Sequence, residues 1–219
     1  MKKLFIYCAG GVGREVCDIA DRLNSETAQW AEICFIDDTK ELETFYEKRI
    51  FTYRNFKRLF SPQDCEMVIA NGEPLFRQML YNKVKADNYQ LANIIDCTSV
   101  VSATAHLDEG IVLYPFTFIS SNVHVSPNTL IYNHSVVAHD SLIGSNTVLS
   151  IGVKIAGNCT ISKNCFIGAG AVVRERVKVG EWSIVGMGSA ICHSLPSDGI
   201  YMGNPAARKK ENIDRKVFH

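Results

Sequence analysis

The chain has 219 residues, room for about two domains at ~100–200 residues each. Hydrophobic residues make up 47% and charged residues 21%, which excludes a disordered chain. Lys and Arg number 23 and so do Asp and Glu, which leaves no overall attraction to nucleic acid or an anionic membrane. No run of ~18 apolar residues is present, so no spanning helix is expected. The apolar start Leu4-Phe5-Ile6-Tyr7 meets Gly10-Gly11 and Arg14-Glu15 too soon for a signal peptide.

The first 94 residues read as α/β. Residues 4–7 are a buried strand, Gly10-Gly11-Val12-Gly13 is a tight turn, and 14–23 have helical spacing. Residues 32–36 are a second strand, ending in Asp37-Asp38. Residues 67–70 are a third, before Asn71-Gly72 and a helix over about 74–84. A fourth strand is expected over 91–95. Strand–helix alternation argues for a small parallel sheet.

A glycine turn between strand and helix presents backbone N–H groups that can hold a phosphate. It is not the GxGxxG pattern, because Cys8 and Ala9 precede the paired glycines, and a plain tight connection explains it as well. Asp37 and Asp38 stand where nucleotide-binding sheets place a hydrogen-bonding acid. A solvated strand-end turn is the alternative. Together the two features would line one carboxyl edge of the sheet.

From residue 95 onward the chain is a six-residue repeat: every sixth residue from Ile95 to Ile191 is Ile, Val or Leu. Most positions two before these aliphatics are small, for instance Ser135, Ser141, Thr147, Cys159 and Cys165; Ile111, Val123, Val153 and Val177 are the larger exceptions. A hexapeptide period specifies a parallel β-helix, each strand sending one aliphatic inward and three strands closing one triangular coil of 18 residues. The small residues fit the corners. Without insertions, chemistry must sit on faces, on edges, or where two prisms meet.

The eight cysteines form no CxxC pair, so a zinc cluster is not expected. They read as reduced core residues of a cytoplasmic protein. Of the six histidines, only His139 is followed directly by a carboxylate, Asp140. Taken alone, the pair reads first as an exposed turn. His134 and His139 are the only histidines close together in the repeat that suggested themselves as a metal pair. No third ligand accompanies them, so no metal is expected.

The whole chain resembles the NeuD/PglD-like sugar acetyltransferases. The resemblance rests on Ala9-Gly10-Gly11-Val12-Gly13-Arg14-Glu15-Val16, Phe35-Ile36-Asp37-Asp38, the hexapeptide array, His139-Asp140 and Gly203-Asn204-Pro205-Ala206. It implies a Rossmann-like domain over 1–94 and a left-handed β-helix with a C-terminal tail over 95–219. It implies a homotrimer, with acetyl-CoA in the cleft between neighbouring prisms. His139 would be the general base, Asp140 would orient it, and the Gly157 amide, one coil above, would bind the thioester oxygen. Ala169, Gly186, Met187 and Pro205 would contact the cofactor. Gly11, Val12, Gly13, Asp37 and Asp38 would hold a nucleotide-sugar acceptor.

Three positions depart from the family pattern. Cys8 stands where the family usually has Gly, Val12 where it often has His, and Val148 where it often has a second His. The expected reaction is N-acetylation of a nucleotide-linked 4-amino-4,6-dideoxy sugar. The alternatives are O-acetylation of a free sugar such as sialic acid, and a non-catalytic trimeric scaffold. Neither a nucleic-acid nor a membrane partner is expected.

Overall fold

A computed structural model describes residues 1–218; His219 lies outside the described residues. The N-terminal sheet contains β1 (Lys3–Tyr7), β2 (Ile33–Ile36), β3 (Thr44–Phe45), β4 (Lys48–Phe51) and β5 (Cys65–Ile69), in the order β3-β4-β2-β1-β5. All pairs are parallel except β3 with β4. Helices α1 (Gly11–Thr27), α2 (Tyr53–Leu59) and α3 (Pro74–Ala86) cover it. β1 and β2 are unbroken apolar runs because both faces of the sheet are covered. One face packs Phe5, Cys34 and Met67 against Tyr53 and Phe56 of α2. The other packs Leu4, Ile6 and Phe35 against Val16, Ile19 and Ala20 of α1.

Three features differ from the sequence expectation. α1 starts at Gly11, so Gly11 and Gly13 of the expected turn are themselves helical and Gly10 is the extended N-cap. The β3–β4 hairpin and α2 were not anticipated, because Lys48-Arg49-Ile50-Phe51 has no apolar run to announce a strand. The strand expected over 91–95 does not join the sheet. Leu91 makes one bridge to Met67, while Ile94–Ile95 pairs with Val112–Leu113 and opens the prism.

The prism has three faces built from two-residue strands. The first stacks Ile94–Ile95, Val112–Leu113, Leu130–Ile131, Val148–Leu149, Phe166–Ile167 and Ile184–Val185. The second runs from Val100–Val101 through Phe118–Ile119, Val136–Val137, Lys154–Ile155 and Val172–Val173 to Ala190–Ile191. The third runs from His106–Leu107 through His124–Val125, Leu142–Ile143 and Thr160–Ile161 to Lys178–Val179. The second aliphatic of each strand points inward and forms the core with Ile111, Val123, Val153 and Val177, so the larger corner residues join it.

Corner chemistry locks the coils together. Ser135, Ser141 and Thr147 each donate to a carbonyl on the next coil, at 2.9–3.1 Å. They also accept a backbone N–H from Val153, Cys159 and Cys165. The Cys159 and Cys165 thiols do the same corner work, each donating to a carbonyl at 3.1 Å. The tail is a hairpin: Gly199–Met202 extends the first face in parallel and Ala207–Glu211 returns antiparallel.

The first face is closed by the N-terminal domain. Its outward residues Val112, Leu130 and Val148 are fully buried in the same cluster as Val16, Ile19 and Ala20. Beside this seam Arg77 of α3 is entirely buried. Its guanidinium donates to the carbonyls of Ile69, Asn71 and Asn128 and to Asn128 Oδ1. Asn128 passes the contact up the corner, donating to Asn146 Oδ1, as Asn146 donates to Asn164 Oδ1. Burial pulls the guanidinium down to about 10, which still leaves it charged at neutral pH. Replacing Arg77 by Met should destabilise the fold by about 3 kcal/mol, because a methionine fills the space but orphans buried carbonyls. Urea unfolding followed by tryptophan fluorescence checks this.

Candidate active site

His139 and Asp140 sit on the edge between the second and third faces, between the strands Val136–Val137 and Leu142–Ile143. Asp140 adopts φ 57°, in the left-handed region, as do Asn122, Asn128, His134, Asn146, Asn158 and Asn164 in the same six-residue register, with Gly152 at φ 67° between Asn146 and Asn158. These are the residue types that tolerate this conformation best. The backbone turn therefore sets where the His139 side chain leaves the prism.

His139 Nδ1 lies 2.8 Å from Asp140 Oδ2. The other carboxylate oxygen accepts from Asn122 Nδ2 at 3.1 Å. The hydrogen bonds with His139 and Asn122 hold the Asp140 carboxyl below its ordinary range. A carboxylate on Nδ1 selects the tautomer that carries its hydrogen there, which leaves Nε2 as the basic nitrogen. The His139 side chain is 58% exposed, so a substrate can reach it.

Gly157 lies directly against the imidazole. A Cβ there would stand 2.7 Å from both Cε1 and Nε2 of His139, so any larger residue must push the ring away. Its carbonyl accepts from Arg176 N–H, whereas among the described residues its own N–H has no acceptor.

Ala169, Gly186, Met187 and Pro205 gather elsewhere, on the edge between the first and second faces. The Gly188 N–H donates to the Ala169 carbonyl, and the hairpin crosses this edge where Ala190 N–H donates to Gly203. Gly152, Gly170 and Gly188 leave that edge open, since a Cβ on any of them would meet nothing within 4 Å. Met187 is 82% exposed at its crest. A single chain thus keeps His139 and Gly157 on one edge and the other expected cofactor contacts on another. His134 also belongs to this second edge, stacked on Phe116 at 5.2 Å, so it does not converge with His139.

The N-terminal residues form a third group. The start of α1 carries no side-chain cap and no acidic residue in its first turn, and nothing crowds Gly10 or Gly11. Gly13 has a packing role: a Cβ there would stand 2.2 Å from the Cys8 carbonyl oxygen. Val12 is half-buried. A cleft of about 440 Å³ opens beside Gly10, lined in part by Asp37, Asp38, Lys40, Phe76 and Lys83. Asp37 accepts from Ala9 N–H and from Thr39, and Asp38 accepts from Tyr7 Oη, Tyr53 N–H and Lys83 Nζ. Burial opposes ionisation of both carboxyls, but these hydrogen bonds outweigh it and hold them below the ordinary range. Both aspartates are therefore fixed walls of the cleft before any ligand arrives.

Two departures from the family pattern acquire physical content. Cys8 adopts φ 85°, a conformation that costs a side-chain-bearing residue about 1–3 kcal/mol and glycine little. Val148 is fully buried in the seam between the domains and presents nothing to a ligand. Sequence reasoning missed the histidine pair His106 and His124, one coil apart on the third face and bridged by Asp108. Their 18-residue spacing was the available signal. Of two variants that both lose the thiol, Cys8→Gly should be about 1 kcal/mol more stable than Cys8→Ala. Paired urea titrations measure that difference.

Residues 3–84 match the PglD N-terminal domain, and residues 140–175 and 158–193 match the bacterial transferase hexapeptide of six repeats. Among solved structures the chain is similar to WeeI from Acinetobacter baumannii, at 26% identity and TM-score 0.88, covering 95% of this chain and 100% of that one. It is similar to the acetyltransferase domain of PglB from Neisseria gonorrhoeae, solved with acetyl coenzyme A, at 24% identity and TM-score 0.89, covering 95% and 99%. It is also similar to PerB from Caulobacter crescentus, solved with CoA and GDP-perosamine, at 23% identity and TM-score 0.84, covering 96% and 98%. With a PglD N-terminal domain continued into a hexapeptide-repeat left-handed β-helix, and the same fold from end to end, the chain belongs to the NeuD/PglD-like family of sugar acetyltransferases.

Proposed function

We propose that this acetyltransferase moves the acetyl group of acetyl-CoA to the amino group of a nucleotide-linked 4-amino-4,6-dideoxy sugar, with His139 as general base. The observation that carries the reading is the arrangement at one edge. His139 Nδ1 is held by Asp140 at 2.8 Å, and Gly157, whose N–H has no acceptor among the described residues, packs against the Cε1–Nε2 side of the ring.

The acceptor nitrogen attacks the thioester carbonyl carbon while His139 Nε2 takes a proton from that nitrogen. Asp140 offsets the positive charge that then develops on the imidazole. The Gly157 N–H donates to the oxyanion as the tetrahedral intermediate forms. The carbon–sulfur bond breaks as the intermediate collapses, and the proton on Nε2 passes to the departing CoA sulfur. The products are the amide and free CoA.

The acceptor's nucleotide fits the 440 Å³ cleft, with its phosphates over the uncapped start of α1. Gly11, Val12 and Gly13 provide those amides, and Asp37 and Asp38 wall the base. The open glycine edge with Ala169, Gly186, Met187 and Pro205 suits the pantetheine arm of CoA. Arg208, exposed in the returning hairpin strand, offers a cation to its nucleotide end.

These groups lie on different edges, so the complete site belongs to an assembly in which one prism's His139 edge faces its neighbour's glycine edge. The exposed apolar residues support a homotrimer of this kind. Val100, Phe118 and Val172 lie on the second face, and Phe116, Ile151 and Met187 lie on its glycine edge. Reduced thiols and both substrates fit the cytoplasm, and no helix among the described residues is long and apolar enough to cross a membrane.

Incubation with acetyl-CoA and a panel of UDP-, dTDP- and GDP-linked 4-amino sugars, read by mass spectrometry, tests the reading. One member should gain an acetyl group. His139→Ala should remain folded and lose about 10²–10⁴-fold in rate. Gly157→Ala should lose activity with little change in melting temperature, because it displaces only the ring. Acetyl-CoA binding without any acetylated nucleotide sugar would favour O-acetylation of a free sugar. No acetyl-CoA binding at all would favour a scaffold.

A further inference from the structure

We propose that His106, Asp108 and His124 form a surface site for a borderline divalent cation, with Zn²⁺ the best fit, that staples the first two strands of the third face. The two histidines are direct partners in the parallel ladder, so both imidazoles leave the same face one rung apart. Their ring centroids are 4.9 Å apart at 72°. Asp108 lies between them with one carboxylate oxygen for each: Oδ1 is 3.0 Å from His106 Nε2 and Oδ2 is 2.9 Å from His124 Nε2. One ligand atom from each of the three residues falls within 4.8 Å of the others.

The backbone holds this carboxylate in place. Asp108 N–H donates to the Val125 carbonyl at 3.0 Å, and the Asp108 carbonyl accepts from Asn93 Nδ2 at 2.8 Å. Tetrahedral zinc with bonds of about 2.0–2.1 Å needs ligand atoms about 3.3 Å apart. The nitrogen–oxygen separations already present are within a few tenths of that value. A cation would replace the two hydrogen bonds that now join the rings to the carboxylate, and the coil need not move.

The donor set selects the ion. Two imidazole nitrogens and one carboxylate oxygen suit Zn²⁺, whereas Mg²⁺ and Ca²⁺ take oxygen ligands. The His106 side chain is 70% exposed, so water can complete the coordination. His106–Leu107 is the terminal strand of its face, and Leu107 is only partly buried against the core. A bound ion would fasten this outermost strand to His124–Val125. The site is on a flat face, whereas His139 is on an edge, so cation binding and acetyl transfer are separable.

Metal-stripped full-length protein titrated with ZnCl₂ by calorimetry should bind one ion per chain with a micromolar constant and melt at a higher temperature. His106→Gln and His124→Gln should each weaken binding by roughly tenfold or more, and Asp108→Asn likewise. His134→Gln should change nothing. Co²⁺ should give visible d–d bands without a thiolate charge-transfer band, which separates this site from the cysteines. Acetyl transfer by the two histidine variants should equal that of the parent. Millimolar or weaker binding, unchanged affinity in all three variants, or a thiolate band would each overturn the proposal.

Discussion

A buried guanidinium with no carboxylate partner among the described residues ties the two domains of this molecule together. Arg77 reaches from α3 to the prism corner at Asn128, and every hydrogen bond its side chain makes goes to a carbonyl or an amide oxygen. Such a charge is costly to desolvate and is sustained only by several well-aligned acceptors. Those acceptors come from two domains at once: Ile69 and Asn71 follow the sheet, while Asn128 belongs to the prism. If the domains rotated apart, the charge would lose part of its shell without gaining water. The apolar seam around Val112, Leu130 and Val148 supplies attraction, and Arg77 supplies direction. A second polar tie acts at the far side, where Arg22 of α1 pairs with the buried carboxylate of Asp96 at the start of the prism.

Direction matters because the proposed chemistry is spread over separate places. The nucleotide cleft lies at the carboxyl edge of the sheet, His139 on one prism edge, and the open glycine edge on another. Rigid docking of the sheet on the first face fixes the cleft relative to both edges. The repeat fixes the edges themselves, since each coil is tied to the next by backbone pairing and corner hydroxyls. Gly157 stays against His139 because Asn158 N–H donates to the His139 carbonyl at 2.9 Å. Small errors in such placements cost rate steeply, so a β-helix is a suitable support for a base and an oxyanion donor.

The prism was legible almost residue by residue, because each inward aliphatic recurs at a period no other fold uses. The placement of Gly157 beside His139 was legible for a related reason: the two stand at one corner, 18 residues and one coil apart. The N-terminal sheet was less legible. β4 lies next to the edge strand and opens with two cations, Lys48 and Arg49, and its pairing depends on β2 rather than on its own apolarity. The fourth strand was misassigned because Leu91 and Ile94–Ile95 form one apolar stretch. Only the tertiary structure divides it between the sheet and the prism. Arg77 was invisible: a lone arginine on a helix reads as solvated until the corner carbonyl it meets is known. The His106–Asp108–His124 group is hidden in the sequence because its two histidines are neighbours one coil apart and not neighbours along the chain.

Val148 shows how a family difference should be weighed. Taken from the sequence alone, a valine in place of a histidine suggests an altered acceptor contact. In the fold the side chain faces α1 inside the seam, with Leu130 below it and Phe166 above it on the same face. A histidine there would bury an imidazole among apolar groups and would need a new hydrogen-bond partner. The valine therefore answers first to the packing between the domains. In the proposed reaction the acceptor meets instead groups that face open space: the first turn of α1, the aspartate-walled cleft and the His139 edge.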